Sequence, residues 1–419
     1  DQGQTALSRN LTIESLGRQG DGVASSPDGP AHVPFTLPGE TVTISDKGRR
    51  PRLERVIEAS PLRREPVCRH FGECGGCRLQ HFEIEAYREW KRGLVAEALA
   101  RAGIETEIAP LKSFATASRR RAVFSAVRTA AGPKPGIVFG FQERDTNRIV
   151  DLAECPVLVP AIVERIEALR ALCQVLAPGK GVMKLNVLAS ENGLDLAAET
   201  ESRIAPKSTD RAIALAGESG FARLSVNGEI LAQFRTPFLD FGGSAVAVPP
   251  GGFVQAVAAA EQAMAERVTS HLEDCKRVAD LFCGAGTFAL RLAAASEVHA
   301  IETDAAAIDA LDRAWRGTGG RLKRITSERR DLFRRPMQPG ELTGFDGLVF
   351  DPPRAGAQAQ ARELASSDIG KIAAVSCNPV TLARDLSLLV EGGYRVVSVL
   401  PLDQFVFTPH VEAVALLQR

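Results

Sequence analysis

The feature of this sequence that most constrains its fold is a regular alternation of short apolar strands and helical segments after Ala256. The alternation predicts an α/β fold, in which a doubly wound, mostly parallel sheet carries helices on its faces. Two strands that follow each other directly near the C-terminus predict an antiparallel addition to that sheet. The strands are predicted at residues 277–283, 298–302, 345–351, 372–377, 394–400 and 411–417, and a helix at 304–316.

Polar or reactive residues recur where these predicted strands end. The segment 280–286 ends the first strand and Glu302 ends the second, while Asp351 and Cys377 end two later ones. In doubly wound sheets, ligands bind beyond the carboxyl ends of the strands. The sequence therefore predicts one functional site along this edge of the sheet.

The turn after the first strand reads Asp280-Leu-Phe-Cys-Gly-Ala-Gly-Thr287. Gly284 and Gly286 would let the backbone approach a ligand where a β-carbon would clash, although a tight turn alone also explains them. Glu302 is placed to accept hydrogen bonds from ribose hydroxyls. The spacing differs from the six-residue glycine fingerprint of dinucleotide-binding proteins, which argues against a nicotinamide enzyme.

The chain has 419 residues, which is too long for one ordinary domain, and we predict three domains. Residues 1–60 have short strands separated by turns, a pattern that suits a small OB-like β-barrel. Residues 61–248 mix strands and helices in a central α+β domain, and the apolar positions from Ile84 to Leu99 predict one helix. Residues 249–419 hold the alternating pattern.

Net charge gives no direct argument for a nucleic-acid partner, because 51 Lys and Arg balance 51 Asp and Glu. Basic residues are nevertheless frequent between Lys47 and Arg92, and Arg119, Arg120 and Arg121 form a triplet. Such patches hold phosphates in some proteins and form a solvated surface in others. No run of about 18 apolar residues is present, so we expect no membrane association and a cytoplasmic location.

Four short motifs of the C-terminal part carry a resemblance to a known enzyme family. They are residues 250–255 (Pro-Gly-Gly-Phe-Val-Gln), 351–354 (Asp-Pro-Pro-Arg), 376–379 (Ser-Cys-Asn-Pro) and 408–412 (Thr-Pro-His-Val-Glu). In this order they resemble the RNA uracil-5-methyltransferases. The glycine turn resembles the S-adenosylmethionine loop of the class I methyltransferases, which have a Rossmann-like fold.

The resemblance implies methylation of carbon 5 of a uridine with S-adenosylmethionine as the cofactor. Carbon 5 of uracil is too weak a nucleophile to react unaided, so Cys377 would add to carbon 6 and Glu412 would later remove the carbon-5 proton. Asp331 could equally be a surface charge. The implied cofactor contacts are Gln255, Phe282, Thr287, Glu302, Asp331 and Asp351.

A separate group of cysteines lies in the predicted central domain. Cys68, Cys74 and Cys77 have C-x5-C-x2-C spacing, and Cys155 follows in Glu-Cys-Pro. Four thiolates suit an iron–sulfur cluster or a structural zinc ion, and unrelated buried cysteines are the third possibility. The string from Cys74 to His81 resembles the [4Fe–4S] segment of the ribosomal-RNA members of the family. The N-terminal barrel resembles a TRAM domain, an RNA-binding module.

The resemblance also implies an RNA partner. The accessory segments favour 23S ribosomal RNA over transfer RNA, on which some related enzymes act, and we expect a monomer. Two other functions stay open: a non-catalytic RNA-binding protein, and an amino-group methyltransferase that uses the Asp351-Pro-Pro motif. The first has no need of Cys377 and Glu412 together with the glycine turn, and the second needs no thiol.

Overall fold

The computed structural model describes residues 8–45, 51–129 and 136–419. Lys47, where the predicted basic stretch begins, lies outside these ranges. Within them, none of the helices is both long and apolar enough to cross a membrane.

The N-terminal unit has six short strands around one small apolar core. They are β1 (Ser8–Thr12), β2 (Ser15–Leu16), β3 (Gly22–Ala24), β4 (Ala31–Val33), β5 (Thr41–Ser45) and β6 (Arg52–Glu58). Two three-stranded antiparallel sheets result, in the orders β1-β5-β6 and β2-β3-β4. Both contribute to the core, the second through Ala24 and Val33 and the first through Val42 and Ile44. Closure of these sheets into a barrel stays a prediction.

A long helix and two short strands follow the first three clustered cysteines. They are α1 (Ile84–Arg101), β7 (Glu107–Ile108) and β8 (Lys112–Ser113). The helix begins where the Glu83 carboxylate accepts a hydrogen bond from the Ala86 N–H at 2.9 Å, which satisfies a backbone donor that has no partner within the helix. Val95 and Leu99 on its apolar face pack in the same core as the C-terminal sheet.

The central unit is a seven-stranded sheet with helices packed on one apolar core. Its elements are β9 (Arg121–Arg128), β10 (Ile137–Gln142), β11 (Ile149–Asp151), α2 (Pro160–Val163), α3 (Ile166–Leu176), β12 (Met183–Ser190), β13 (Gly193–Glu199), α4 (Pro206–Glu218), β14 (Arg223–Val226) and β15 (Glu229–Gln233). The strand order is β11-β10-β9-β12-β13-β14-β15, and only β13 and β14 pair in parallel. A small hairpin follows, β16 (Phe238–Asp240) and β17 (Ala245–Ala247).

An ion pair joins the N-terminal and central units. Arg144, in the turn after β10, donates two hydrogen bonds to the Asp21 carboxylate, at 2.6 and 2.7 Å. Both side chains are less than one-tenth exposed. A two-pronged contact of this kind fixes orientation as well as distance.

The C-terminal unit is built on the parallel sheet that the sequence predicts. Its elements are α5 (Ala258–His271), β18 (Arg277–Leu281), α6 (Ala289–Leu292), β19 (Glu297–Glu302), α7 (Ala305–Gly317), β20 (Ile325–Arg329), α8 (Pro339–Leu342), β21 (Gly347–Phe350), α9 (Gln358–Ala365), β22 (Lys371–Ser376), α10 (Pro379–Glu391), β23 (Arg395–Asp403) and β24 (Glu412–Gln418). The strand order is β20-β19-β18-β21-β22-β24-β23-β7, with β8 also paired to β23. The prediction of a doubly wound sheet with an antiparallel addition is confirmed.

The last strand, β24, lies between β22 and β23 and runs antiparallel to both. Its register pairs Ser376 with Ala413 on one side and Leu402 with Glu412 on the other. Because the strand is reversed, its first residue lies at the edge where the parallel strands end.

Part of the predicted central domain contributes to this C-terminal sheet. The short strand β7 pairs in parallel with β23 through Ser398 and Val399, and α1 packs on the same sheet. Residues 84–113 therefore belong to the C-terminal sheet and its core, on the other side of the predicted boundary at 248/249. The bounds 1–60, 61–248 and 249–419 otherwise stay a prediction.

Candidate functional site

Cys377 and Glu412 lie opposite each other at the carboxyl edge of the sheet. Cys377 directly follows β22, whose last residue pairs with Ala413, and Glu412 directly precedes Ala413. The thiol is half-buried, whereas the Glu412 side chain is buried. The structure thus brings together the two residues that the sequence predicts as nucleophile and base.

Two glutamines connect Glu412 to Asp351 through an unbroken row of hydrogen bonds. Gln404 donates from Nε2 to Glu412 Oε1 at 2.9 Å and to Gln255 Oε1 at 2.8 Å. Gln255 in turn donates from its Nε2 to Asp351 Oδ2 at 3.1 Å. Gln255 and Gln404 are both buried, so these bonds are shielded from water.

Burial and like charge together shift the pKa values of the acidic groups at this site upward. The pKa of Glu412 is raised to about 8, mainly by loss of solvation and also by the charge of Asp351, while Gln404 and Lys91 act in the opposite direction. Loss of solvation raises the pKa of Asp351 to about 7, opposed by the hydrogen bond from Gln255. Both carboxyl groups thus exchange protons near neutral pH.

The Cys377 thiol stays protonated at neutral pH in this environment. Its pKa is raised to about 11, mainly by burial and also by the negative charges of Glu412 and Asp351, while the charge of Arg354 acts in the opposite direction. The thiolate is the nucleophilic form, so nucleophilic attack requires removal of this proton.

A buried ion pair supports the segment that carries Gln404. The Lys91 ammonium of α1 donates to Asp403 Oδ1 at 2.5 Å and to the Phe405 carbonyl at 3.1 Å. The Tyr87 hydroxyl donates to the other oxygen of Asp403 at 2.8 Å and accepts from the Phe407 N–H at 2.9 Å. The lysine and aspartate are almost fully buried, so removing either one would leave the other as an unpaired buried charge.

A cleft of about 410 Å³ opens beside Cys377 and extends to the loop of the clustered cysteines. The guanidinium of Arg119 lies 5.7 Å from the centre of the Phe405 ring. Burial and the charges of nearby Arg354 and Lys91 lower the pKa of His410 to about 4, so this ring is neutral. The lining residues are Gly75, Gly76, Arg78, Arg119, Arg354, Cys377, Phe405, Thr408, Pro409 and His410.

The basic triplet 119–121 does not act as one surface patch. Arg120 is buried, and it donates to Glu261 Oε2 at 2.7 Å and to the Gln255 carbonyl at 3.1 Å. Its neighbours lie elsewhere, Arg119 beside Phe405 and Arg121 over the Phe253 ring at 5.2 Å. Arg120 is therefore not available to contact phosphate, because its charge is paired with that of Glu261.

The two glycines of the turn after β18 have different roles. Gly284 has a φ of +54° and open space where a β-carbon would stand, and its N–H donates to Glu302 Oε2 at 3.1 Å. A β-carbon on Gly286 would lie 2.5 Å from a methyl group of Leu311 in α7. Gly284 leaves room for a ligand, whereas Gly286 is required by helix packing.

The other predicted cofactor contacts surround this turn. Phe282 has a φ of +61° and packs against Phe333, with ring centres 5.5 Å apart. Asp331 follows β20, and its Oδ1 accepts the Phe333 N–H at 3.0 Å. Thr287 closes the turn, where its carbonyl accepts from Arg291 at 2.7 Å. Phe333 is about half exposed and was not predicted.

Hydrogen bonds and an ion pair join the loops that carry the four clustered cysteines. The Ala153 N–H donates to His70 Nε2 at 3.1 Å, and the Arg69 N–H donates to Glu154 Oε1 at 2.9 Å. The Arg69 and Glu154 side chains also pair at 3.3 Å. These contacts place Cys155 beside the loop of Cys68.

The four thiols are free and partly exposed, and they are close enough to influence one another. The pKa of Cys77 is raised to about 12, mainly by burial and also by the charges of Cys155, Cys74 and Cys68. Among the described residues, no group of three or more His, Cys, Asp or Glu side chains is arranged to hold a metal ion.

Three site residues could not be predicted from the motifs. Gln404 and Asp403 precede the 408–412 motif by a few positions, and Lys91 lies in α1, more than 300 residues earlier. The helical spacing of α1 identifies Tyr87 as an inward-facing residue, but nothing in it marks a buried lysine.

The chain is similar to proteins of known type over most of its length. Residues 246–419 match the family described as tRNA (uracil-5-)-methyltransferase. An uncharacterized RNA methyltransferase of Brucella suis biovar 1 is 52% identical, covering 98% of this chain and 97% of that protein. The 23S rRNA (uracil(1939)-C(5))-methyltransferase RlmD of Halomonas elongata is 35% identical, covering 98% of this chain and 89% of that protein.

A solved structure is also similar along nearly the whole chain. It is the Pyrococcus abyssi tRNA (uracil-54, C5)-methyltransferase in complex with S-adenosyl-L-homocysteine. Its TM-score is 0.76 at 25% sequence identity, and the match covers 97% of this chain and 99% of that one.

The charge of Glu412 should slow the reaction of Cys377 with an alkylating reagent. In the Glu412→Gln variant, we expect iodoacetamide to modify Cys377 at least about threefold faster at about pH 8, because a nearby negative charge disfavours the thiolate. Mass spectrometry of the Cys377 peptide measures this rate. The matched control is Glu391→Gln, at an exposed position in the last turn of α10. An unchanged rate in Glu412→Gln would contradict the electrostatic contact.

Proposed function

The chain belongs to the RNA (uracil-5-)-methyltransferase family, and its C-terminal unit has the class I methyltransferase fold. From this premise we propose that the protein methylates carbon 5 of a uridine through a covalent adduct with Cys377. The observation that carries the proposal is the meeting of Cys377, Glu412 and Asp351 at one sheet edge, with Gln255 and Gln404 joining the two carboxylates.

The turn after β18 fits S-adenosylmethionine. Glu302 lies at the end of β19 and its carboxylate would accept from the ribose hydroxyls, while the open space at Gly284 leaves room for the chain of the cofactor. The partly buried ring of Phe282 and the half-exposed ring of Phe333, with Asp331, would hold the adenine. Gln255, Thr287 and Asp351 complete the proposed contacts. When bound, the cofactor supplies an electrophilic methyl group.

The residues of the chain carry the other steps. The Cys377 thiol gives its proton to water in the cleft as the uracil binds, an event that the charge of Arg354 favours, and its sulfur adds to carbon 6. The electron pair of the broken carbon–carbon π bond moves toward oxygen 4, and the enolate so formed takes the methyl group at carbon 5. Glu412 then accepts the carbon-5 proton, the double bond returns, and the thiolate leaves.

The roles of Cys377 and Glu412 can be separated with two variants. Cys377→Ala should abolish methylation. Glu412→Gln should lower turnover by about 10²–10⁴-fold and accumulate an RNA–protein adduct that survives a denaturing gel, because addition proceeds and elimination does not. Glu391→Gln serves as the control. Near-normal turnover of Glu412→Gln would exclude it as the base, and full activity of Cys377→Ser would favour amino-group methylation.

We propose 23S ribosomal RNA as the substrate. The support is the full-length similarity to a 23S rRNA enzyme at 35% identity. A cleft of about 700 Å³ between the N-terminal unit and the turn after β10 has Arg9, His32 and Arg78 in its lining, which suits phosphate contacts outside the catalytic cleft. Transfer RNA is the second candidate, favoured by the similarity to the P. abyssi enzyme.

A methylation assay that compares 23S RNA with transfer RNA tests which class of RNA is the substrate. We expect labelled methyl groups from S-adenosylmethionine to enter protein-free 23S RNA and not unmodified transfer RNA, with binding that weakens steeply as salt rises. Position-specific mass spectrometry of the product identifies the uridine. If only transfer RNA is labelled, transfer RNA becomes the substrate, and the proposed chemistry is unaffected.

We propose that Cys68, Cys74, Cys77 and Cys155 hold a [4Fe–4S] cluster. Each thiolate of such a cluster binds a different iron atom, so the sulfurs stand farther apart than around a single zinc ion. The support in this structure is that the four thiols lie near enough to affect one another's pKa values. The Gly76 N–H lies 3.4 Å from the Cys74 sulfur, a contact of the kind that tunes such clusters.

Protein purified without oxygen should be brown, absorb at about 400 nm and contain iron and sulfide. Cys74→Ala should lose the iron, whereas Cys173→Ala, which changes a buried cysteine of α3, should keep it. Metal analysis of the wild-type protein that finds zinc and no iron would contradict the cluster.

A further inference from the structure

The carboxamide of Gln404 forms three hydrogen bonds within the site. Its oxygen accepts the Ala256 N–H at 3.1 Å, and its nitrogen donates to Gln255 Oε1 at 2.8 Å and to Glu412 Oε1 at 2.9 Å. The side chain is only 2% exposed, so water does not compete for these positions. Both amide hydrogens are therefore used inside the protein.

These partners leave the carboxamide only one favourable orientation. If its oxygen and nitrogen exchanged places, the oxygen would face two other oxygens, those of Gln255 and Glu412, and the NH2 group would face the Ala256 N–H. The orientation then determines that of Gln255, because an oxygen that accepts from Gln404 leaves the Gln255 nitrogen to donate to Asp351. Each carboxylate therefore accepts a hydrogen bond from a glutamine, Glu412 from Gln404 and Asp351 from Gln255.

The backbone at Gln404 is also held from two sides. The preceding residue, Asp403, is bound by Lys91 and Tyr87 of α1. One residue earlier, Leu402 pairs with Glu412 in the sheet, so Gln404 leaves the end of β23 directly beside the start of β24. Gln404 therefore cannot move away from Glu412 unless these contacts break.

We propose that Gln404 is a positioning residue for proton abstraction, which binds one carboxylate oxygen of Glu412 and leaves the other for the carbon-5 proton. This rests on the proposed function. In the step, Glu412 Oε2 takes the proton, the carbon–hydrogen electron pair forms the C5–C6 double bond, and the C6–S bond breaks to release the Cys377 thiolate. Among the described residues, Gln404 forms the one side-chain hydrogen bond of this carboxylate, and it binds Oε1.

Gln404 also favours the ionised base. The charged groups that act on Glu412 are Asp351, after β21, and Lys91 of α1, and the neutral Cys377 thiol after β22 also lies near it. The hydrogen bond from Gln404 lowers the pKa of Glu412 against burial and Asp351, and it does so without adding a charge. Removing this donor raises the pKa further, so less carboxylate is present at neutral pH and activity requires a higher pH.

The test uses Gln404→Met, which keeps an unbranched side chain of similar size and removes both donors. The measurement is tritium release from RNA labelled at carbon 5 of uridine, under single-turnover conditions and across the pH range. We expect release about tenfold slower at about pH 7, partial recovery at higher pH, and a methylated RNA–protein adduct that accumulates on denaturing gels.

A second variant and a control make the result interpretable. Gln404→Glu keeps the shape of the side chain and adds a negative charge beside Glu412. The pH at which its rate of tritium release rises should therefore shift further toward alkaline values. This variant still tests the proposal if Gln404→Met folds poorly. Gln360→Met is the matched control, because Gln360 of α9 is equally buried but bonds only to the backbone of Met337, away from Glu412. It should retain the wild-type pH profile.

Two different failures can be told apart. Wild-type protein that releases no tritium from any uridine-containing RNA would reject the proposed function itself. Wild-type release together with an unchanged pH limb in both Gln404 variants would reject only the positioning role of Gln404.

Discussion

The antiparallel pairing of β24 with β22 is the interaction on which the proposed chemistry depends. In an all-parallel sheet, a residue that begins a strand lies at the opposite edge from the ligands. Reversing the last strand brings its first residue, Glu412, to the edge where Cys377 ends β22. Six paired residues from Lys371 to Ser376 then fix the register, and a slip of one residue would turn the Glu412 side chain to the other face of the sheet.

Burial removes water from the carboxyl groups of Glu412 and Asp351, and the same loss of solvation brings their pKa values close to neutral pH. Two carboxylates that act on each other would normally repel, and the interposed amides of Gln255 and Gln404 stabilise both with neutral donors. A base works best when its pKa lies near the working pH, and burial brings Glu412 to about 8. The Lys91–Asp403 pair, equally buried, maintains the backbone geometry that these amides need.

The sequence predicts what depends on local pattern. Strand periodicity and the rule that ligands bind at carboxyl ends locate Glu302, Asp351 and Cys377, and the motif order indicates the chemistry. What depends on tertiary packing could not be predicted. Arg120 resembles its exposed neighbours until the fold pairs it with Glu261, and Gly286 resembles a ligand-binding glycine until Leu311 of α7 is placed against it.

The position of α1 and β7 in the C-terminal sheet has a consequence for how the protein is made. The Thr106 hydroxyl donates to the Val396 carbonyl, 290 residues later in the chain. At ordinary rates of translation, roughly 15 to 60 s pass between the synthesis of these two partners. Until the last strands are made, the core that α1 shares with the sheet through Val95 and Leu99 also lacks Val399, Ala413, Ala415 and Leu417. The apolar face of α1 can therefore complete its packing only when synthesis of the chain is almost finished.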